Sequence, residues 1–205
     1  MNDAGDKSRR SLILKTAAML FRQHGYERTS VRQIAEALGM TSGSIFYHFT
    51  TKEELLVTVM EEGVRDILSG VQDGLAGESR LPERMLAMVR CHLTALLGPK
   101  LDAMTVMLYE WRSLTPAQRT AIARLKAQYE APWVPVLQAL HDAGWLRTEP
   151  PLARLFILGA LNWAVQWYQP GGRLSLDALA QQALALFLGP PAGGPASLSS
   201  LETRA

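Results

Sequence analysis

Cysteine is nearly missing from this sequence: Cys91 stands alone. A single thiol excludes an internal disulfide framework and any zinc site built on a cysteine cluster, and it fits a reducing compartment. Long hydrophobic runs are missing too. The longest nearly apolar stretch, Leu155 to Trp167, is broken by Asn162 and Gln166, whereas a bilayer-spanning helix needs about 20 apolar residues. The opening MNDAGDKSRR has charge but no apolar core behind it, so it does not read as a secretory leader. No membrane contact and a cytoplasmic location are expected. Catalytic patterns are absent as well. There is no G-x-S-x-G, P-loop or dinucleotide fingerprint, and His24, His48, His92 and His141 lack metal spacing. Cys91 and His92 are neighbours, but adjacent helical residues point about 100° apart, so they do not form a nucleophile–base pair locally. No enzyme, metal or cofactor is expected.

What is present is an ordinary globular chain of 205 residues, 48% hydrophobic and 20% charged. That length holds one core, or a small domain sharing helices with a larger one. The net charge of +2 is unevenly spread. Between Lys7 and Lys52 eight bases (Lys7, Arg9, Arg10, Lys15, Arg22, Arg28, Arg32, Lys52) face two acids, Glu27 and Glu36, a net +6 in 46 residues. From Leu56 onward 13 bases and 13 acids cancel. A basic amino-terminal quarter on a neutral body points one end at a polyanion, although a solvated basic surface reads equally well from charge alone.

Helical periodicity runs through almost every segment, and none alternates as a strand does. The chain reads as all-α with about nine helices. A first helix, about 8–24, turns Ile13, Ala17, Leu20 and Phe21 inward and stops at Gly25. A second, about 30–38, opens at Thr29 or Ser30, buries Val31, Ile34, Ala35 and Leu38, and stops at Gly39. A third spans about 42–49. A fourth starts at Thr51, paired with Glu54 as a capping box, and carries Leu55/Leu56, Val59/Met60, Val64, Ile67/Leu68 and Val71 for some 20 residues. After the connection GLAGESRLP, helices are expected at about 82–97, 101–113, 116–143, 152–168 and 175–188. Pro132 and Pro135 should kink or break the 116–143 stretch. The expected organisation is a disordered start (1–7), a basic amino-terminal unit (8–54), a larger neutral body (55–189) and a disordered tail rich in Pro, Gly, Ala and Ser (190–205).

Residues 30–49, SVRQIAEALGMTSGSIFYHF, give helix, glycine-bearing turn and short second helix, the layout of a helix-turn-helix whose second helix enters the major groove. Thr41, Ser42, Gly43 and Ser44 offer small hydroxyls and bare backbone at the start of that helix. Its amino-terminal N–H groups and dipole favour a nearby phosphate. Tyr47 and His48 can reach phosphates, while Ile45 and Phe49 face the core. Ser30 and Arg32 flank the preceding helix, Arg32 within reach of a phosphate or base edge, and Lys52 can clamp a neighbouring phosphate. Taken singly, each residue serves a turn, a cap or packing just as well; the joint pattern is more specific.

The run AAMLFRQHGYERTSVRQIAEALGMTSGSIFYHF followed by TKEELL resembles the amino-terminal domain of the TetR family of transcriptional repressors over about 45 residues. The resemblance implies an all-α homodimer in which a three-helix head joins a larger ligand-binding body through the fourth helix. By position, Thr41, Ser42 and Ser44 would face DNA, Gly43 would permit close approach, and Tyr47, His48 and Lys52 would hold phosphates. Many relatives carry Lys where this chain has Ser42, so one contact is expected to be missing.

The body holds all five tryptophans and, on the fifth and sixth helices, Met85, Met88, Met104 and Met107. Met and Trp make adaptable apolar walls for a lipophilic ligand, and serve equally as plain core. The expected ligand set is these four with His92, Leu108, Trp111, Phe156, Asn162, Trp163, Gln166 and Trp167. The 152–168 helix is apolar nearly all round, with Arg154, Asn162 and Gln166 as a polar strip, so burial on most sides is expected. With the final helix (Leu176, Leu179, Ala180, Ala183, Phe187) it is the expected dimer interface. The stretch LNWAVQWYQPGGRLSLDALAQQALALFLGP resembles the carboxy-terminal end of TetR-type regulators of fatty-acid, phenylacetate and sterol breakdown, which implies release from DNA by acyl-CoA thioesters. Relatives often have a base at the position of Gln166; Arg154, Arg173, Arg112 or Arg147 could replace it. The function so implied is a repressor of a palindromic operator, with recognition helices about 34–36 Å apart and a lipophilic effector. The alternatives are the same architecture sensing a drug-like or aromatic compound, or, more remotely, a small helical enzyme.

Overall fold

The computed structural model describes residues 3–76, 80–98 and 101–190. Of the connection expected at 74–82, one helix takes the start through Ala76 and the next takes the end from Leu81, while residues 77–79, like 191–205 of the tail expected to be disordered (190–205), lie outside the described residues. Among those residues the chain is all-α, with ten α-helices and no strand. These are α1 (Asp3–His24), α2 (Val31–Ala37), α3 (Ser42–His48), α4 (Lys52–Ala76), α5 (Leu81–Leu97), α6 (Leu101–Tyr109), α7 (Pro116–Glu130), α8 (Trp133–Asp142), α9 (Pro150–Trp163) and α10 (Leu176–Phe187). Short 3-10 turns, Glu110–Ser113 and Ala164–Gln166, extend α6 and α9.

Ten helices replace the expected nine because the 116–143 stretch breaks. Pro132 has no N–H to continue α7, so α7 ends at Glu130 and Pro132 becomes the N-cap of α8. Pro135 is tolerated because it sits in the first turn of α8, where backbone N–H groups have no intrahelical partner anyway. At the other end α1 begins at Asp3 instead of near Ser8. No described helix is long and apolar enough to cross a membrane.

The described chain divides into two compact units. The first comprises residues 3–66 and 101–127. Here α1 packs on α6 and α2, and α2 on α3. Its core is Ile13, Ala17, Phe21, Ile34, Ala35, Ile45, Phe49, Leu55, Leu56, Val59 and Met60, with Met104 and Met107 from α6. The apolar periodicity of α1 and α2 therefore names the buried face, except that Leu20, Val31 and Leu38 are only half-buried. Gly25 (φ +83°) and Gly39 (φ +63°) end α1 and α2 in the left-handed conformation that a Cβ disfavours.

The second unit comprises residues 67–98 and 128–190. Its centre is α5, which packs against α8, α9 and α10. Met85, Met88, Val89, Leu93 and Leu96 of α5 are buried, as are Trp133, Leu137 and Leu140 of α8 and Ala180 and Leu184 of α10. The apolar residues of α9 divide between two sides. Ala153, Ile157, Leu158 and Leu161 turn inward, but Leu152, Leu155, Phe156 and Trp163, with Trp167 beyond the helix, form an open apolar face.

Candidate functional site

The helix-turn-helix is held by local caps that use several of the expected DNA-facing hydroxyls. Ser30 caps α2: its Oγ accepts the Gln33 N–H at 3.2 Å, and Gln33 Oε1 accepts the Ser30 N–H at 2.8 Å. Thr29 is not the cap. It is buried, and its hydroxyl donates to Gly25 O at 2.9 Å. Thr41 caps α3, with its Oγ1 accepting the Ser44 N–H at 3.2 Å and lying 3.0 Å from Ser44 Oγ. Thr51 accepts the Glu54 N–H at 3.1 Å, while Glu54 reaches one residue further back, to the Thr50 N–H at 2.7 Å. Ile45 and Phe49 pin α3 to the core. The outer surface carries Ser42 (half-exposed), Gly43, Phe46, Tyr47 (79% exposed) and, on α2, Arg32. Arg32 is paired with Glu36 at 2.8 Å, a fully exposed pair that water screens and a phosphate could replace.

Two expected phosphate contacts stand differently. The His48 side chain is only 5% exposed, with Nδ1 3.6 Å from Asp6 Oδ1 and the Tyr47 ring edge-on at 5.1 Å. Lys52 turns inward. Its Nζ donates to Tyr26 O and Thr29 O, both at 3.0 Å, and lies over the Tyr26 ring. Two of its three donors thus fasten the α1–α2 turn, which leaves one for a phosphate. The same turn is held from α6, where Glu110 Oε1 accepts the Tyr26 N–H at 3.0 Å. A cleft of about 380 Å³ between α1 and α3 is lined by Asp6, Arg9, Thr41, Gly43, Ser44, Tyr47 and His48. Arg9 was missed by sequence reasoning because nothing in the run Lys7-Ser8-Arg9-Arg10 says which base faces α3.

In the second unit a buried polar cluster surrounds His92. Its Nε2–H donates to Asn162 Oδ1 at 3.1 Å, so the bare Nδ1 accepts the Tyr129 hydroxyl, and Trp133 stands edge-on to the ring at 6.2 Å. Burial pushes the His92 imidazole down to about 4, against the opposing effect of the Asn162 hydrogen bond, so it is neutral at physiological pH. Burial pushes the Tyr129 hydroxyl far up, so it stays a donor. The neighbouring Cys91 donates its Sγ–H to Gly70 O at 3.1 Å. Sequence reasoning found His92 and Asn162 but missed Tyr129 and Trp133, which meet them only through packing.

The rest of the expected ligand set is dispersed. Met85 and Met88 are wholly buried in α5. Met104, Met107, Leu108 and Trp111 belong to the first unit, where the Lys126 ammonium lies 5.7 Å over the Trp111 ring. Phe156, Trp163, Gln166 and Trp167 are exposed. Of the bases that could stand in at Gln166, Arg154 is paired with Glu130. Arg173 lines a shallow cleft with Trp167 and Tyr168.

Two sequence families match the chain. One, described as bacterial regulatory proteins, tetR family, covers residues 13–59; the other, tetracyclin repressor-like, C-terminal domain, covers residues 78–190. The chain is 33% identical over 195 residues to the HTH-type transcriptional repressor KstR2 of Rhodococcus jostii strain RHA1, spanning 90% of this chain and 92% of that relative. Among solved structures it is similar to the superantigen PfiT, at 41% identity and a TM-score of 0.74 over 88% of this chain and 96% of that one. It is also similar to AibR in complex with isovaleryl coenzyme A and operator DNA, at 28% identity and a TM-score of 0.80 over 89% and 99%.

Proposed function

We propose that this chain, which belongs to the TetR family of bacterial transcriptional regulators, is a dimeric repressor that binds a two-fold-symmetric operator and leaves it on binding an acyl-CoA thioester. The carrying observation is the surface of the helix-turn-helix. Ile45 and Phe49 anchor α3, while Gly43 and Tyr47 stand open on its outer side. In this reading α3 lies in the major groove, with Ser42, Gly43 and Tyr47 at the DNA and Arg32 reaching it from α2. Ser30, Thr41, Ser44, His48 and Lys52 contribute through the caps and contacts that hold those elements, and through whatever donors those bonds leave.

Dimerisation is proposed through the open apolar face of α9, since a monomer rarely leaves so continuous an apolar surface in water. The effector reading is supported by the likeness to AibR, whose complex contains isovaleryl coenzyme A and operator DNA. Only an effector that binds one conformation better than the other can release DNA.

The test is a footprint of the purified protein on DNA from its own upstream region, at stated salt, with and without acyl-CoAs of graded chain length. Protection of a symmetric site that vanishes with one chain length is the expected result. Protection that survives every thioester would overturn the effector and leave the repressor.

A further inference from the structure

The two arginines at the amino end of α1 have unlike surroundings. Arg10 donates to Glu62 Oε1 at 3.4 Å and lies over the Phe49 ring, 4.7 Å from its centroid. Its charge is used inside the first unit. Arg9 sits about 100° away around the helix, is exposed, and lines the cleft between α1 and α3 without an ion pair among the described residues. The opposite wall is the outer surface of α3, including Gly43 and the exposed Tyr47.

We propose that this cleft takes a phosphate of the DNA backbone, and that Arg9 holds it; the proposal rests on the DNA-binding reading above and extends it to α1. The charges lining the cleft are Asp6 and Arg9, with His48 as the third titratable wall. The Asp6 carboxylate lies 3.6 Å from His48 Nδ1, whereas the guanidinium of Arg9 has no ion pair among the described residues. A guanidinium presents five N–H donors in a fork that matches two phosphate oxygens. Asp6 opposes an anion in the same cleft, and Arg9 supplies the positive charge that offsets it. A contact of this kind carries no sequence information; it fixes how the head is oriented on the duplex. Clamping the backbone from α1 while α3 approaches the groove would hold the recognition helix from two sides.

Because phosphate contacts are independent of sequence, the test needs no operator. Binding to a fluorescein-labelled duplex of about 30 base pairs and arbitrary sequence would be followed by anisotropy at several salt concentrations. The proteins compared are wild type, Arg9→Ala, Arg9→Lys, Tyr47→Ala and, as a control for net charge, Arg124→Ala, an exposed position on α7. Arg9→Ala should bind about tenfold more weakly at low salt, and its slope of log K against log salt should fall by about 0.9 per chain. Arg9→Lys should recover the slope, Arg124→Ala should match wild type, and the thermal midpoint of Arg9→Ala should stay unchanged. A wild-type slope in Arg9→Ala, or an equal loss in Arg124→Ala, would overturn the assignment of Arg9. If Tyr47→Ala weakens binding while Arg9→Ala keeps wild-type affinity and slope, Arg9 alone falls. If wild type shows no salt-dependent binding to any duplex, the DNA reading falls and Arg9 with it.

Discussion

Gly43 is a glycine that its surroundings in the first unit do not require. It lies in α3 with ordinary helical backbone, and a Cβ built there would meet only Thr41 Oγ1, at 3.7 Å. Nothing within the first unit requires glycine, although glycine costs a helix about 1 kcal/mol relative to alanine. In the proposed interface the missing side chain lets the backbone approach the duplex. Gly43→Ala is therefore expected to raise stability by up to about 1 kcal/mol in urea denaturation while weakening DNA binding about tenfold or more. A variant that gains stability and binds DNA as wild type does would show that the bare backbone is not used. Ser30, Thr41 and Ser44 carry the opposite lesson. Their residue types fit DNA contact and helix capping equally well, and the hydrogen bonds show that capping claims at least part of each hydroxyl.

At the scale of the element, α9 carries the sharpest contrast between its two sides. Its inner residues pack within the second unit, whereas Leu155, Phe156 and Trp163 are 61%, 65% and 62% exposed. Leu152, Leu155, Phe156 and Trp163 recur at spacings of three, four and seven residues, which places them on one stripe. If a second copy covers the stripe, a charge there should split the pair. Wild type is expected near twice the 22.6 kDa of one chain in sedimentation, and Leu155→Glu/Trp163→Glu at the mass of one chain with its helical content retained. Wild-type protein sedimenting as a single chain would remove the stripe as a dimer interface. Phe156 and Trp163 on this stripe, and Trp167 beyond the helix, are also expected from the sequence as ligand residues. A large aromatic residue on an apolar helix looks the same whether it faces a pocket or a partner.

For the molecule as a whole, the buried His92 links stability to pH. Its folded-state value of about 4 lies below the ordinary 6.5, so between those values the unfolded chain takes up a proton that the folded chain refuses. Stability is full above pH 6.5 and falls as pH drops through the window to 4, by an amount on the order of 3 kcal/mol. Urea unfolding at pH 7 and pH 4.5 should show this loss in wild type and a much smaller one in His92→Gln. Equal losses in both would assign the pH dependence to other groups.

The sequence by itself determined the helical class, the glycine stops at Gly25 and Gly39, the break at Pro132 and the place of the helix-turn-helix. These depend on period, propensity and capping, which act between residues a few positions apart. It also named the buried faces of α1 and α4, because amphipathic spacing projects directly onto burial. What only the tertiary structure decided concerns contacts distant in sequence. Lys52 reaches back to Tyr26 and Thr29, Arg9 and not Arg10 lines the cleft beside α3, and Tyr129 and Asn162 meet at His92 from 37 and 70 residues away. One further decision was which apolar face of α9 stays open. Local rules fix where a side chain lies around its own helix, but only packing chooses what stands opposite, and at the proposed sites that opposing group decides whether a base, a hydroxyl or an aromatic ring is spent within the chain or left for a partner.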